Sequence, residues 1–121
     1  MKQLLLLLTF FFTLSAAYSQ DDPTASRTDL RNHILKESRE KGQLDFFTPI
    51  KGHEYDGIQI KPGIYDTKLG LALIKWGKAN YDLGVKNLDE AYSIFAEFKG
   101  REARKLEKEY IKIGYNRELE M

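Results

Sequence analysis

The residues best suited to chemistry in this chain are His53, Glu54 and Asp56, a local cluster in which an imidazole accompanies carboxylates. Such groups bind divalent metals and transfer protons in hydrolytic enzymes. The cluster therefore suggests a small hydrolase or metal-dependent enzyme that uses the His53 to Asp56 region. Against this, adjacent residues of a strand point to opposite faces, and the spacing matches no zinc motif. We predict no catalytic, cofactor-binding or metal-binding residues, and we expect the His53 ring to pack beside Ile60.

The remaining candidates for chemistry are weaker. The chain contains no cysteine, which excludes thiol catalysis, thiolate metal ligands and disulfide bonds. The other histidine, His33, has Asp29 and Glu37 four residues to either side, where they share its helix face and would pair with it. Neither a serine nucleophile motif nor a glycine-rich phosphate loop occurs. The sequence therefore favours a non-catalytic protein.

Four glycines recur every seven residues, at Gly63, Gly70, Gly77 and Gly84. On a helix this spacing places them nearly in line, which would form a smooth groove for the backbone of another element. The alternative is that Gly77 alone packs against a neighbour, while the glycines around it end elements. We favour the second interpretation.

The charge balance argues against two classes of partner. The 121 residues include 19 Lys and Arg and 18 Asp and Glu, so the chain lacks the basic excess that binds nucleic acids or anionic membranes. The mixed charges from Arg101 to Lys112 are typical of a solvated helix face. We expect a protein or peptide partner and no nucleic acid.

Residues 1–19 predict export. A basic start at Lys2 precedes an apolar block over residues 4–14, and the small residues Ala17 and Ser19 follow, which is the pattern of a secretory signal peptide. The block is too short to span a membrane, which needs about 20 residues. We expect a periplasmic or secreted mature chain that begins near Gln20 and has no membrane span.

The mature chain divides into a leader and one domain. Residues 20–26 are small, polar and acidic, which is typical of a disordered leader. Residues 27–121 form a single, mainly α-helical domain. The domain should begin with a short helix over Arg27–Lys41, since Gly42 stands just past its end.

The middle of the domain has no helical period. Between residues 42 and 63 the sequence favours an irregular segment or a short β-hairpin. Asp56-Gly57 is a preferred two-residue hairpin turn, and Pro62-Gly63 fits a type II turn after it.

Two further helices should complete the domain as a C-terminal antiparallel helical hairpin. The first is capped by Asp66 or Thr67 and ends before Gly84. The second follows the cap Asn87 and runs to Ile113. The connection between them is short, so the two helices should pack against each other.

The second helix is longer than its partner, so its far end would overhang and expose apolar side chains. Either the first helix and Phe46-Phe47 fold back over that end, or Gly100 breaks the helix, or another protein covers it. We prefer these possibilities in that order, because covering an apolar stripe within the domain is the usual arrangement.

The hairpin resembles a single tetratricopeptide-repeat unit over about residues 70–100. Its matching residues are Leu73, Trp76, Gly77, Ala91 and Phe95, and Ala79 and Tyr81 lie near the position of the family's aromatic residue. The resemblance implies that Gly77 allows close approach of the helices opposite Ala91, and that the protein binds peptides or proteins. An ordinary antiparallel hairpin with one close glycine–alanine contact fits the same residues.

The sequence as a whole favours an exported, small, non-catalytic protein-interaction module. One alternative is the hydrolase or metal-dependent enzyme of the His53 to Asp56 region. Another is an inhibitor or immunity protein for an exported toxin, which differs from the first hypothesis only in its partner.

Overall fold

The protein is mainly α-helical, as the sequence predicts, with a small antiparallel sheet between helices. A computed structural model describes residues 23–119, with side chains from residue 26 onward, and the predicted signal peptide lies outside this range. Within it, no helix is both long and apolar enough to cross a bilayer. The elements are α1 (Pro23–Glu37), a 3-10 turn (Thr48–Ile50), β1 (Gly57–Lys61), β2 (Ile64–Thr67), α2 (Lys68–Leu83), α3 (Leu88–Lys99) and α4 (Lys105–Tyr115).

Internal contacts divide the chain into two units, residues 1–30 and residues 31–121. Of the first unit the structure describes residues 23–30, which are helical and include four residues of the predicted leader. All contacts given below lie within the second unit.

Helix α1 ends at Glu37 and not at Lys41. The Glu37 carbonyl accepts a hydrogen bond from the Leu44 N–H at 2.8 Å, and its side chain accepts one from the Gln43 N–H at 3.0 Å. These bonds close a tight turn in which Lys41 has a φ of +71°, so the predicted last helical turn does not form.

The sheet is a hairpin that turns at Pro62-Gly63, and the predicted turn at Asp56-Gly57 is wrong. Gly63 has a φ of +80°, the left-handed value that a type II turn requires after proline. Asp56 instead precedes β1, and its carbonyl accepts a hydrogen bond from the Lys68 N–H at 2.9 Å. Ile64–Thr67 therefore supplies the second strand, in place of the residues before Asp56.

Capping fixes both ends of α2 and the start of α3 where the sequence predicts. The Thr67 hydroxyl accepts a hydrogen bond from the Gly70 N–H at 3.0 Å, and Gly84 ends α2 with a φ of +99°. The Asn87 side chain accepts a hydrogen bond from the Glu90 N–H at 2.8 Å. The Thr67 and Asn87 side chains each satisfy an N–H group that the start of a helix leaves without an intrahelical partner.

The predicted helix through Ile113 is wrong, because it is broken at Gly100. This residue ends α3 with a φ of +71°, and α4 begins at Lys105. The break lets α4 return along α3, where the Tyr92 hydroxyl donates a hydrogen bond to the Lys108 carbonyl at 3.1 Å. Of the three possibilities for the overhanging end, the second is the one that occurs.

The closest packing joins α2 to α4. A Cβ at Gly77 would overlap the carbonyl of Ile111, and a Cβ at Gly114 would overlap the carbonyl of Ile74. The two helix backbones therefore touch directly, and we call this contact the glycine seam. Gly77 packs as we favoured, against a partner in the same chain. Gly70 also packs closely, since a Cβ there would lie 2.8 Å from the Tyr110 ring, so the expectation that Gly77 alone packs is wrong.

Trp76 lies at the centre of the core with none of its surface exposed. Its indole N–H donates a hydrogen bond to the Ser38 hydroxyl at 2.9 Å, and that hydroxyl donates to the Ile34 carbonyl at 2.6 Å. The Phe95 ring packs edge-on at 5.2 Å between centroids. These contacts tie α2 to the end of α1 and to α3.

Candidate functional site

The structure brings together two residues of the cluster that the sequence singled out. His53 Nδ1 lies 2.9 Å from Asp56 Oδ2, and both side chains are more than half exposed. They lie in a turn and not in a strand, so the expectation that His53 packs beside Ile60 is wrong. Glu54 is half-buried, and His33 lies exposed on α1. Within residues 23–119 no three His, Cys, Asp or Glu side chains form a group that could hold a metal ion.

A more extended feature is a groove along one face of α2, which we call the α2 groove. Its middle is an apolar cavity of about 270 Å³, the central cavity. Leu71 and Ala72 of α2 contribute to one wall of this cavity. Pro49 and Ile50 of the 3-10 turn and Ile58 of β1 contribute to the others. The turn and the hairpin thus position the apolar surface against the helix.

Two further cavities extend the groove. The phenylalanine cavity, of about 450 Å³, contains Phe47 and Phe98 and shares Ile50 with the central cavity. The end cavity, of about 330 Å³, contains Ala79 and shares Phe46 with the central cavity. Because neighbouring cavities share a wall, the groove offers adjoining places for several residues of a ligand.

Two acidic side chains along the groove are engaged within the chain. Asp45 accepts hydrogen bonds from the backbone N–H groups of Phe47 and Thr48 at 3.2 and 2.9 Å. Burial acts to raise the pKa of Asp45, but hydrogen bonds led by those from Thr48 outweigh it and hold the pKa below its ordinary value. Asp82, in the end cavity, lies 3.7 Å from a guanidinium nitrogen of Arg117.

The lysines of the central cavity differ from these acids. Lys68 and Lys75 both line the cavity, and neither takes part in an ion pair among the described residues. The central cavity therefore combines an apolar surface with positive charge that the described part of the chain does not neutralise by a direct contact.

A third lysine, Lys99, reaches the phenylalanine cavity from the end of α3. Its ammonium lies 4.9, 5.3 and 5.8 Å from the ring centroids of Phe47, Phe98 and Phe95, within the range of cation–π attraction. Partial burial lowers the pKa of Lys99, an effect that the negative charge of Glu107 opposes. Aromatic faces thus take the place of a carboxylate around this cation.

Sequence reasoning missed this site. The pair Phe46-Phe47 stood out as apolar, but we expected it to cover the end of the last helix. Phe47 instead packs against α3, with its ring centroid 6.4 Å from that of Phe95 and 6.0 Å from that of Phe98. The segment before β1 has no helical or strand period, so nothing in the sequence indicated which face of α2 it would flank.

Comparison of the chain with protein-family models, with curated proteins and with solved structures finds no match. The resemblance to a tetratricopeptide-repeat unit therefore stays a prediction. One detail that it implied differs in the structure, since the atoms closest to a Cβ at Gly77 belong to Ile111 of α4 and not to Ala91.

Proposed function

We propose that the chain is an exported, non-catalytic protein-interaction module that binds a segment of a partner protein along the α2 groove. The observation that carries the proposal is an apolar surface beside Lys68 and Lys75, which form no ion pair among the described residues. Binding sites are typically concave and apolar, with a few polar groups that fix the ligand. The resemblance of residues 70–100 to a tetratricopeptide-repeat unit implies the same class of function.

The charges select the chemistry of the partner. At the central cavity Lys68 and Lys75 outnumber Asp45, which its hydrogen bonds keep ionised. Asp82 in the end cavity is paired with Arg117, so the groove suits a negatively charged ligand. A segment that carries apolar and acidic side chains would bury the former against Leu71 and place the latter beside the lysines. Such complementarity contributes mainly to specificity and to the rate of association.

The pattern of residues 1–19 supports a periplasmic or extracellular location for this binding. We expect the mature chain to begin at or near Gln20. Intact-mass measurement of protein recovered from cells that express the full chain checks this expectation. A stable membrane-bound species that retains residues 1–17 would contradict export.

Selection of peptides against the protein tests the binding function. Protein processed by the expressing cells is immobilised and presented with a random peptide library that has free ends. We expect the recovered peptides to combine apolar with acidic residues. Lys75→Glu should weaken their binding by about tenfold or more, since it places like charges together.

Lys86→Glu is the matched control for charge reversal. Lys86 is exposed in the loop between α2 and α3, and it lines none of the three cavities of the groove. Peptides that bind Lys75→Glu as tightly as the parent would contradict the proposal, as would a selection that recovers no peptide.

A further inference from the structure

We propose that the phenylalanine cavity holds the C-terminal residue of the partner segment, with its carboxylate on Lys99; this refinement rests on the binding function of the α2 groove. Three features of the cavity support it. They are a cation held by aromatic faces, a buried acceptor oxygen that lacks a donor, and a cavity of about 450 Å³ whose lining combines apolar side chains with charged ones.

The cation is Lys99. Among the described residues it takes part in no ion pair, and its ammonium has the ring of Phe47 at 4.9 Å from the centroid as its nearest aromatic face. An ammonium that has lost part of its hydration to the neighbouring rings gains most from a carboxylate, because charge-assisted hydrogen bonds are about twice as strong as neutral ones. The site therefore favours an anionic group over a neutral one.

The acceptor is Glu54, which lines the same cavity. Its Oε1 atom is buried and has no hydrogen-bond partner in the described part of the chain. A buried acceptor without a donor destabilises the fold because its lost hydration is not replaced, so a ligand that brings an N–H group would remove an existing penalty. The same carboxylate disfavours a multiply charged ligand such as a phosphate.

The apolar part of the cavity wall includes Phe47, Phe98 and Leu69. A C-terminal residue supplies three complementary groups at once: a carboxylate for Lys99, its own amide N–H for Glu54 and an apolar side chain for the rings. An internal Asp or Glu offers its carboxylate in place of the apolar side chain. The cavity also lies at one end of the groove, where the end of a bound chain would come to rest.

Three small probes separate these possibilities. N-acetyl-phenylalanine carries all three groups, N-acetyl-phenylalanine amide lacks the carboxylate, and N-acetyl-glutamate α-amide carries a side-chain carboxylate without the apolar group. Each is titrated into the processed protein while the backbone amide resonances are followed by NMR. We expect saturable shifts at Phe47, Phe98 and Gly100 with the first probe, and binding about tenfold weaker with the other two.

Variants of Lys99 test whether its charge causes the preference for the carboxylate probe. Lys99→Met keeps an apolar stem over the rings. It should lower the affinity for N-acetyl-phenylalanine about tenfold, to the affinity that the parent has for the amide. Lys99→Arg keeps the cation and should retain the preference for the carboxylate. Lys86→Met is the control for loss of a lysine outside the cavity and should bind like the parent.

The outcomes distinguish this inference from the function on which it rests. Equal binding of N-acetyl-phenylalanine and its amide, unchanged binding by Lys99→Met, or no saturable shift overturns the C-terminal site, even if selected peptides depend on Lys75. Equally tight binding of N-acetyl-glutamate α-amide overturns it in favour of an internal acidic residue. Binding that depends on Lys99, without any peptide that depends on Lys75, supports the site and contradicts the wider groove function.

Discussion

Helix α2 presents two faces that differ in what they contact. On the face of the glycine seam, the backbone of α2 touches that of α4 at Gly77 and Gly114, which leaves no room even for a methyl group. On the face of the α2 groove, the neighbouring segment stands away and leaves adjoining cavities. The same helix is therefore closed on one side and open to a ligand on the other.

The two basic residues around Gly100 show the same contrast in electrostatic terms. Arg101 donates two hydrogen bonds to the carboxylate of Glu107, both at 2.8 Å, and the Arg104 N–H donates another at 2.8 Å. Lys99, two residues before Arg101, has its ammonium over the rings of Phe47, Phe95 and Phe98 and forms no ion pair among the described residues. The charge of Arg101 is therefore neutralised within the fold by Glu107. The charge of Lys99 at the groove is available to a ligand.

The largest expected loss of stability comes from creating a cavity in the core that supports both faces of α2. Trp76→Ala removes the largest fully buried side chain and its hydrogen bond to Ser38, and it should lower the free energy of unfolding by about 3–5 kcal/mol. Much of the stability of a domain of this size would be lost. Chemical denaturation followed by circular dichroism measures the change. A midpoint close to that of the parent would mean that Trp76 does not hold α2 in place.

The glycine seam should be nearly as sensitive to a single methyl group. Gly114→Ala forces its Cβ into the carbonyl of Ile74, and such overpacking should cost about 3 kcal/mol, despite the better helix propensity of alanine. Thermal unfolding of the variant measures the loss. Gly57→Ala is the control, since a Cβ there meets nothing within 4 Å, and its effect should stay below about 1 kcal/mol.

A smaller effect, with a distinct pH dependence, is expected at Glu107. The hydrogen bonds from Arg101 lower the pKa of Glu107, against the effect of burial. A lowered pKa in the folded state stabilises the fold above the unfolded pKa, and this stability is lost as the pH falls through the folded value. Glu107→Gln should cost about 1–2 kcal/mol at neutral pH and flatten the loss of stability in acid.

Denaturation curves across the acid range test this prediction. Glu109→Gln is the matched control, because Glu109 is exposed on the same helix, whereas the Arg101 guanidinium bonds to Glu107. If Glu107→Gln and the parent lose stability in parallel as the pH falls, the contact with Arg101 does not contribute in the way its geometry indicates.

Local signals explain which parts of the fold could be predicted. Thr67, Gly84 and Asn87 act within one turn of their own position, so the ends of α2 and the start of α3 follow from the sequence. Gly100 is different, because an isolated glycine is tolerated inside a helix and only the return of α4 decides that it caps one. The sequence placed the hairpin turn at Asp56-Gly57, whereas the pairing of β1 with Ile64–Thr67 places it at Pro62-Gly63.

The candidate site depends on contacts between distant parts of the chain, and the sequence therefore did not indicate it. The groove needs Phe46-Phe47, Ile58 and Lys99 beside one face of α2, and these residues come from three separate segments. The glycine seam was equally hidden, since the period of Gly70, Gly77 and Gly84 gives no sign of Gly114. Periodicity identified the helix that carries the site but not the face that stays open.

The smallest expected change in stability is at the groove, and it provides the sharpest test of the contrast between the two faces. Lys75→Glu exchanges one exposed helix-forming residue for another, so the free energy of unfolding should change by no more than about 0.5 kcal/mol. The same substitution should abolish most of the binding of the selected peptides, because it reverses the charge beside the central cavity. Thermal unfolding and peptide titration on one protein sample measure both. Should Lys75→Glu instead melt as early as Gly114→Ala, the groove face would be part of the stabilising core, and the division of α2 into a closed and an open face would be wrong.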